Sequence, residues 1–162
     1  MVKTEKAVKY GEGDCFAVPL PDGGYAIGVI ARASSNRGKG VLLGYFFGPR
    51  RTALPSLDQL TSLTRKDAAY VCRFGDLGLL NATWPVLGRL PRWSRAEWPM
   101  PSFIREQLVS GITFKVVYAD DDPARVVSEA ETSDTAADHP KDGLLGAQAV
   151  ALILSKTLPT VQ

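Results

Sequence analysis

The chain carries one histidine, His139, and two cysteines, Cys15 and Cys72, so nucleophilic or metal chemistry must draw on those three or on carboxylates. A serine or cysteine nucleophile needs a base held within hydrogen-bond reach. His139 stands beside Pro140 in a stretch of small polar residues, a poor place to hold one. A zinc site needs several nitrogen and sulfur ligands at close spacing, which one histidine and two distant cysteines do not supply. Both cysteines lie inside apolar runs and read as buried thiols, with a single disulfide as the alternative. Gly38-Lys39-Gly40-Val41-Leu42-Leu43-Gly44 misses the dinucleotide-binding glycine spacing by one residue and leads into a strand instead of opening a helix. Carboxylate catalysis by pairs drawn from Asp14, Asp22 or Glu97 would need a deep pocket that raises a pKa, which sequence does not display. No cofactor, metal or catalytic residue is expected.

Binding chemistry is better represented. The net charge of +2 hides an asymmetry: residues 1–112 hold 15 Lys and Arg against 9 Asp and Glu, while residues 113–142 hold 3 against 8. Asp120, Asp121 and Asp122 are the centre of the acidic stretch, and Glu129 and Glu131 extend it. The three aspartates are adjacent and not spaced as in a calcium loop, so they read either as a solvated turn or as a surface for a basic partner. Trp93 and Trp98 are candidate anchors for the same partner, and equally candidates for the core; Trp84 reads as core. Arg32, Arg37, Lys39, Arg50 and Arg51 form a second cluster. With exposed Tyr45 or Phe47 it would suit a small-barrel nucleic-acid binder, the alternative function.

These residues need a scaffold, and its elements are legible. Two apolar runs, 14–20 and 25–33, flank Pro21-Asp22-Gly23-Gly24, a hairpin signal because glycine tolerates the positive φ of tight turns. Alternation puts Tyr25, Ile27 and Val29 on one face, and Ala26, Gly28 and Ile30 on the other, with Gly28 admitting a close neighbour. A third run at 40–47 places Val41, Leu43, Tyr45 and Phe47 together, giving an antiparallel meander. Further strands are expected at 69–74, 84–90 and 113–118, and a short helix or turn at 55–68, capped by Ser56. Residues 91–103, with several prolines, Trp93, Trp98 and Phe103, predict an ordered aromatic excursion over the core. Asp120 to Pro123 should stop the strand before them, with a resumption at 125–127. Residues 130–142 read as a mobile linker, and 143–154 as a buried C-terminal helix capped by Asp142. The first ten residues read as a flexible N-terminus without a signal peptide's apolar core, and no run approaches a transmembrane span, which together predict a cytoplasmic location. The expectation is one α+β domain, mainly β: a curved antiparallel sheet or partly open small barrel with a C-terminal helix packed on it.

Several segments in order resemble the immunity protein 26 family of bacterial polymorphic toxin systems. They are Gly13-Asp14-Cys15-Phe16-Ala17-Val18-Pro19-Leu20, Asp22-Gly23-Gly24-Tyr25-Ala26-Ile27-Gly28 and Trp84-Pro85-Val86-Leu87-Gly88. Tyr118 with the acidic cluster and Pro123, and Gly143-Leu144-Leu145-Gly146, complete the set, which spans most of 11–155. Cys15 stands where an aliphatic residue is usual. The resemblance implies a mainly β protein, encoded beside a toxin gene, that protects the producing cell by binding the cognate toxin domain. It supplies no catalytic residues. If that toxin is a nuclease, its cleft is basic and the 120–131 surface complements it.

Overall fold

The computed structural model describes residues 10–34 and 40–159. The expectations for residues 1–9, and for Arg37 and Lys39, fall outside the described residues. Around the Asp22-Gly23-Gly24 turn, strands β1 (Asp14–Pro19) and β2 (Tyr25–Ala33) pair antiparallel, with Phe16 opposite Gly28. A Cβ on Gly28 would lie 2.3 Å from Phe16 Cζ, so the ring sits directly over the glycine backbone. Strand β3 (Val41–Arg51) adds to β2, and β4 (Tyr70–Gly75) to β3. A short helix α1 (Leu77–Leu80) precedes β5 (Val86–Arg89), which returns to pair with β1. A second sheet consists of β6 (Phe103–Glu106), β7 (Thr113–Ala119) and β8 (Asp122–Glu131), in that order. Strand β9 (Leu144–Leu145) then joins β4 in parallel, completing a six-stranded sheet ordered β5-β1-β2-β3-β4-β9, and helix α2 (Ala147–Thr157) follows. Neither sheet closes into a barrel.

Strand alternation builds two cores, one on each face of the larger sheet. Ile27, Val29, Leu43, Tyr45 and Phe47 face Leu60, Leu90, Trp98, Phe103, Val116 and Tyr118, under the second sheet and the 91–103 excursion. Phe16, Ala26, Ile30, Leu42 and Phe46 face Phe74, Leu79, Trp84, Val150, Leu154 and Leu158, under the two helices. The fold is therefore α+β and mainly β, as patterning predicts.

Four local expectations gain detail or correction. The short helix or turn expected at 55–68 takes the form of two 3-10 turns, Leu57–Leu60 and Arg65–Asp67. Each is closed by its own cap: Gln59 accepts from the Ser56 amide, and Asp67 accepts from the Thr64 amide and hydroxyl, so a second start signal interrupts the first helix. Strand β7 does end at Ala119, just before Asp120. The strand that follows resumes earlier and runs farther than 125–127: β8 starts at Asp122, after a tight turn at Asp120 and Asp121, and runs ten residues. The stretch read as a linker, 130–142, begins inside β8 and ends along β6, where Ile104 donates to the Pro140 carbonyl at 2.9 Å and the Asp142 amide donates to Ile104 at 2.7 Å. Helix α2 has Gly146, not Asp142, at its N-cap, because Asp142 is engaged by Arg73 and Tyr118; and Leu152 on it is half-exposed.

Candidate functional site

The inner end of the second sheet is fastened by arginines. Arg32, at the end of β2, is only 3% exposed. Its Nε and Nη2 donate to Asp120 at 3.1 and 3.0 Å, and its Nη1 donates to the carbonyls of Ala31 and Trp98 at 2.6 and 2.9 Å. Arg95, in the excursion, pairs with the same Asp120 carboxylate and donates through Nε to Glu12 at 3.0 Å. Arg73 of β4 lies 3.8 Å from the centroid of the Tyr118 ring, donates to the Pro123 carbonyl at 3.1 Å and pairs with Asp142 at 3.4 Å. Tyr118 donates to Asp142 at 2.5 Å, and burial together with that carboxylate pushes its phenol up to about 12.

Asp120 is thus part of the frame. Partial burial alone would raise its pKa, but hydrogen bonds from Arg32 and Arg95 outweigh that and hold it below the ordinary carboxylate range. A carboxylate with a depressed folded pKa stabilises the fold above its unfolded value of about 3.9, and that contribution is lost as pH falls through the folded pKa. Acidification below about pH 4 therefore loosens the β7–β8 turn, and Asp120→Asn removes that pH dependence. Amide shifts of residues 118–123 followed through an acid titration check this; shifts that stay flat in the wild type contradict it.

The outer half is built differently. From Arg125 to Glu131, β8 is exposed along its length. Val126 and Val127 are more than half exposed, and Leu108 and Val109, in the β6–β7 loop, are 98% and 104% exposed. Among the described residues, Asp121 pairs only with Arg125, at 3.4 Å, and Asp122 accepts from the Ala124 amide. Glu129 pairs with Arg105 of β6, and Glu131 borders a shallow groove of about 600 Å³ shared with Glu106, Ile112 and Asp134. Hydrogen bonds from Lys115 and His139 hold the Asp134 carboxyl below its usual range. Sequence reasoning missed Leu108, Val109, Val126 and Val127. The only hint was apolar residues beside the Ser110-Gly111 turn and between the charges of β8.

The acidic candidates therefore share one small sheet but divide in role: Asp120 holds it, while Asp121, Asp122, Glu129 and Glu131 line it. The tryptophans divide likewise. Trp98 is in the core at 2% exposure, where its carbonyl receives Arg32, so a partner does not reach its ring. Trp93 is half-buried, stacked on Trp98 with centroids 5.8 Å apart.

Two of the three described residues of the basic cluster turn inward. Arg32 and Arg50 are buried and occupied, Arg50 by Asp22 at 2.6 Å and the Ser155 carbonyl at 2.8 Å. Tyr45 and Phe47 are core residues and offer no face to a base. Asp14, Asp22 and Glu97 lie at the start of β1, in the β1–β2 turn and in a 3-10 turn of the excursion. The Arg50 hydrogen bond lowers the Asp22 carboxyl, opposite to the shift of a general acid. Cys15 and Cys72 occupy the two different cores as free thiols, each pushed up to about 12 by burial. His139 pairs with Asp134 at 3.0 Å. A second concavity, an apolar groove of about 660 Å³ between the helices and β1, is lined by Leu20, Leu77, Trp84, Ala151 and Leu152.

A family model described as Immunity protein 26 matches residues 11–113, well over half of the chain. The chain belongs to this family. The matched stretch of this immunity protein 26 family member runs from just before β1 to the first residue of β7, so Trp84 to Gly88 lies within it. Tyr118 to Pro123 and Gly143 to Gly146 lie beyond it. No curated protein and no solved structure matches the chain. Among its described residues, no helix is long and apolar enough to cross a membrane.

Proposed function

We propose that this immunity protein neutralises a cognate bacterial toxin domain in the cytoplasm of the producing cell, by stoichiometric binding without catalysis. One observation carries the assignment of the surface. In a member of an immunity protein family, the second sheet projects Leu108 and Val109 into solvent at its β6–β7 loop, the end where Glu131 lies, and Val126 and Val127 along β8, nearer to Asp121 and Asp122. Apolar residues ringed by charge are the composition of a protein-binding patch. Asp120 and Trp98 are positioning residues for it, and Trp93, half-buried against Trp98, retains an exposed part of its ring system. A nuclease is the toxin class whose basic cleft such an acidic surface complements.

The test is purification of the tagged chain from its own organism, followed by mass spectrometry. The expected result is a toxin C-terminal domain recovered in roughly equal molar amount. Recovery of nucleic acid alone, or of nothing above background, contradicts the proposal.

A further inference from the structure

The second sheet has two edges, and among the described residues only one is covered by main chain. Along β6, residues 140–142 supply main-chain partners to Ile104 on both its amide and its carbonyl. Along β8, the only neighbouring strand among the described residues is β7. The Thr132 amide donates to the Thr113 carbonyl at 2.9 Å, and the register pairs Ala130 with Lys115 and Ser128 with Val117. In an antiparallel ladder, alternate residues turn their main-chain groups toward the partner and away from it. The main-chain groups of Ser128 and Ala130 therefore face β7, and those of Glu129 and Glu131 face outward.

Proteins usually guard such an edge with lysine, proline, a bulge or brevity. Here Pro123 and the register irregularities lie at the inner end of β8, by Tyr118, and β8 contains no lysine. The outer four residues, Ser128 to Glu131, keep a regular register, and the only protection they carry is acidic, which repels an acidic strand and admits a basic one. We infer that the toxin domain docks an extended, basic strand of its own along the outer half of β8, adding a fourth strand to this sheet. The inference rests on the toxin-binding reading and specifies its geometry. Val126 and Val127 provide apolar contact beside the new strand, and the outward amides of Glu129 and Glu131 provide the main-chain pairing. Charge selects the occupant. Asp120 and Glu129 are offset by Arg32, Arg95 and Arg105, but Glu106 and Glu131 border the outer end of the sheet with no ion-pair partner among the described residues. A second copy of this chain would therefore bring like charges together, whereas a basic strand neutralises them.

The experiment uses the full chain and the toxin domain that co-purifies with it. The double variant Glu129→Pro/Glu131→Pro loses two outward amides, at edge positions where proline leaves the β7 ladder intact. Its control, Glu129→Gln/Glu131→Gln, loses the same charges and keeps the amides. The proline pair should bind the toxin domain at least about 100-fold more weakly than the glutamine pair. Independently of any variant's folding, hydrogen exchange at the wild-type Glu129 and Glu131 amides should slow by about 100-fold or more in the complex, because each gains a bonded partner. Equal binding by the two variant pairs, or unchanged exchange at these amides in a complex that does form, overturns the strand-addition geometry and leaves toxin binding standing. Self-association through β8 in place of toxin pairing also overturns it. If the wild-type chain binds no toxin domain, both readings fall together.

Discussion

Replacing Asp121 and Glu131 with lysine slows association of the toxin domain by about 10- to 100-fold at low salt, while dissociation changes far less. Exposed charges at the margin of an interface act mainly by steering the encounter, and both residues are of that kind. The Asp121 side chain is 81% exposed and, among the described residues, held only by Arg125, and Glu131 is exposed at the end of β8. The effect shrinks as ionic strength rises, because the screening length falls from about 10 Å at 0.1 M to about 3 Å at 1 M. Asp120 is not equivalent. A lysine there faces Arg32 and Arg95, so the turn itself is displaced, and any loss of binding mixes steering with structure. Stopped-flow association across a salt series separates the two substitutions from each other. Wild-type rates for the Asp121 and Glu131 variant at every salt concentration would remove the acidic edge from the account.

Phe16→Ala costs about 3–5 kcal/mol of stability and lowers Tm by roughly 10 °C. The ring is fully buried and meets three other aromatics: it stacks on Trp84, packs edge-on to Phe46 and lies tilted beside Phe74, with centroids 5.7 Å away in each case. It also covers Gly28, and this coupling gives a sharper test than the single loss. Gly28→Ala alone should destabilise by about 1–3 kcal/mol, since its Cβ would sit within the ring's van der Waals radius. In the Phe16→Ala background the methyl group enters space that the ring has left, so most of that penalty disappears. Urea unfolding of the four proteins measures the cycle. Additive losses would mean that the ring does not rest on the glycine.

Much of the scaffold was legible in the sequence because its strands alternate cleanly. Ile27 and Val29 against Ala26 and Ile30 fix two faces, and the Asp22-Gly23-Gly24 turn fixes the pairing that places Phe16 on Gly28. Where local chemistry competes with tertiary contacts, sequence misleads. Asp142 looks like a helix cap, yet the energetic demand of buried Arg73 claims it, and the helix begins after Gly146 instead. Asp120 looks like a free surface charge for the same reason: nothing local reveals that Arg32, 88 residues earlier, ends beneath it. The basic residues near Arg32 and Arg50 suggested a phosphate surface, but both guanidinium groups are spent on internal partners. The site was half visible. Its acids announced themselves by density, whereas the open edge of β8 depends on which strand the chain lays beside β6, and that is settled by pairing across the sheet.

The most direct measurement is a titration of the toxin domain's activity with the purified chain, at toxin concentrations well above the dissociation constant. Stoichiometric neutralisation predicts a linear fall in activity that ends at about one chain per toxin domain and returns when the complex is separated. Full inactivation by a small fraction of an equivalent would show that the chain turns over as an enzyme. Undiminished activity at a several-fold excess would show that it does not act on this toxin domain at all.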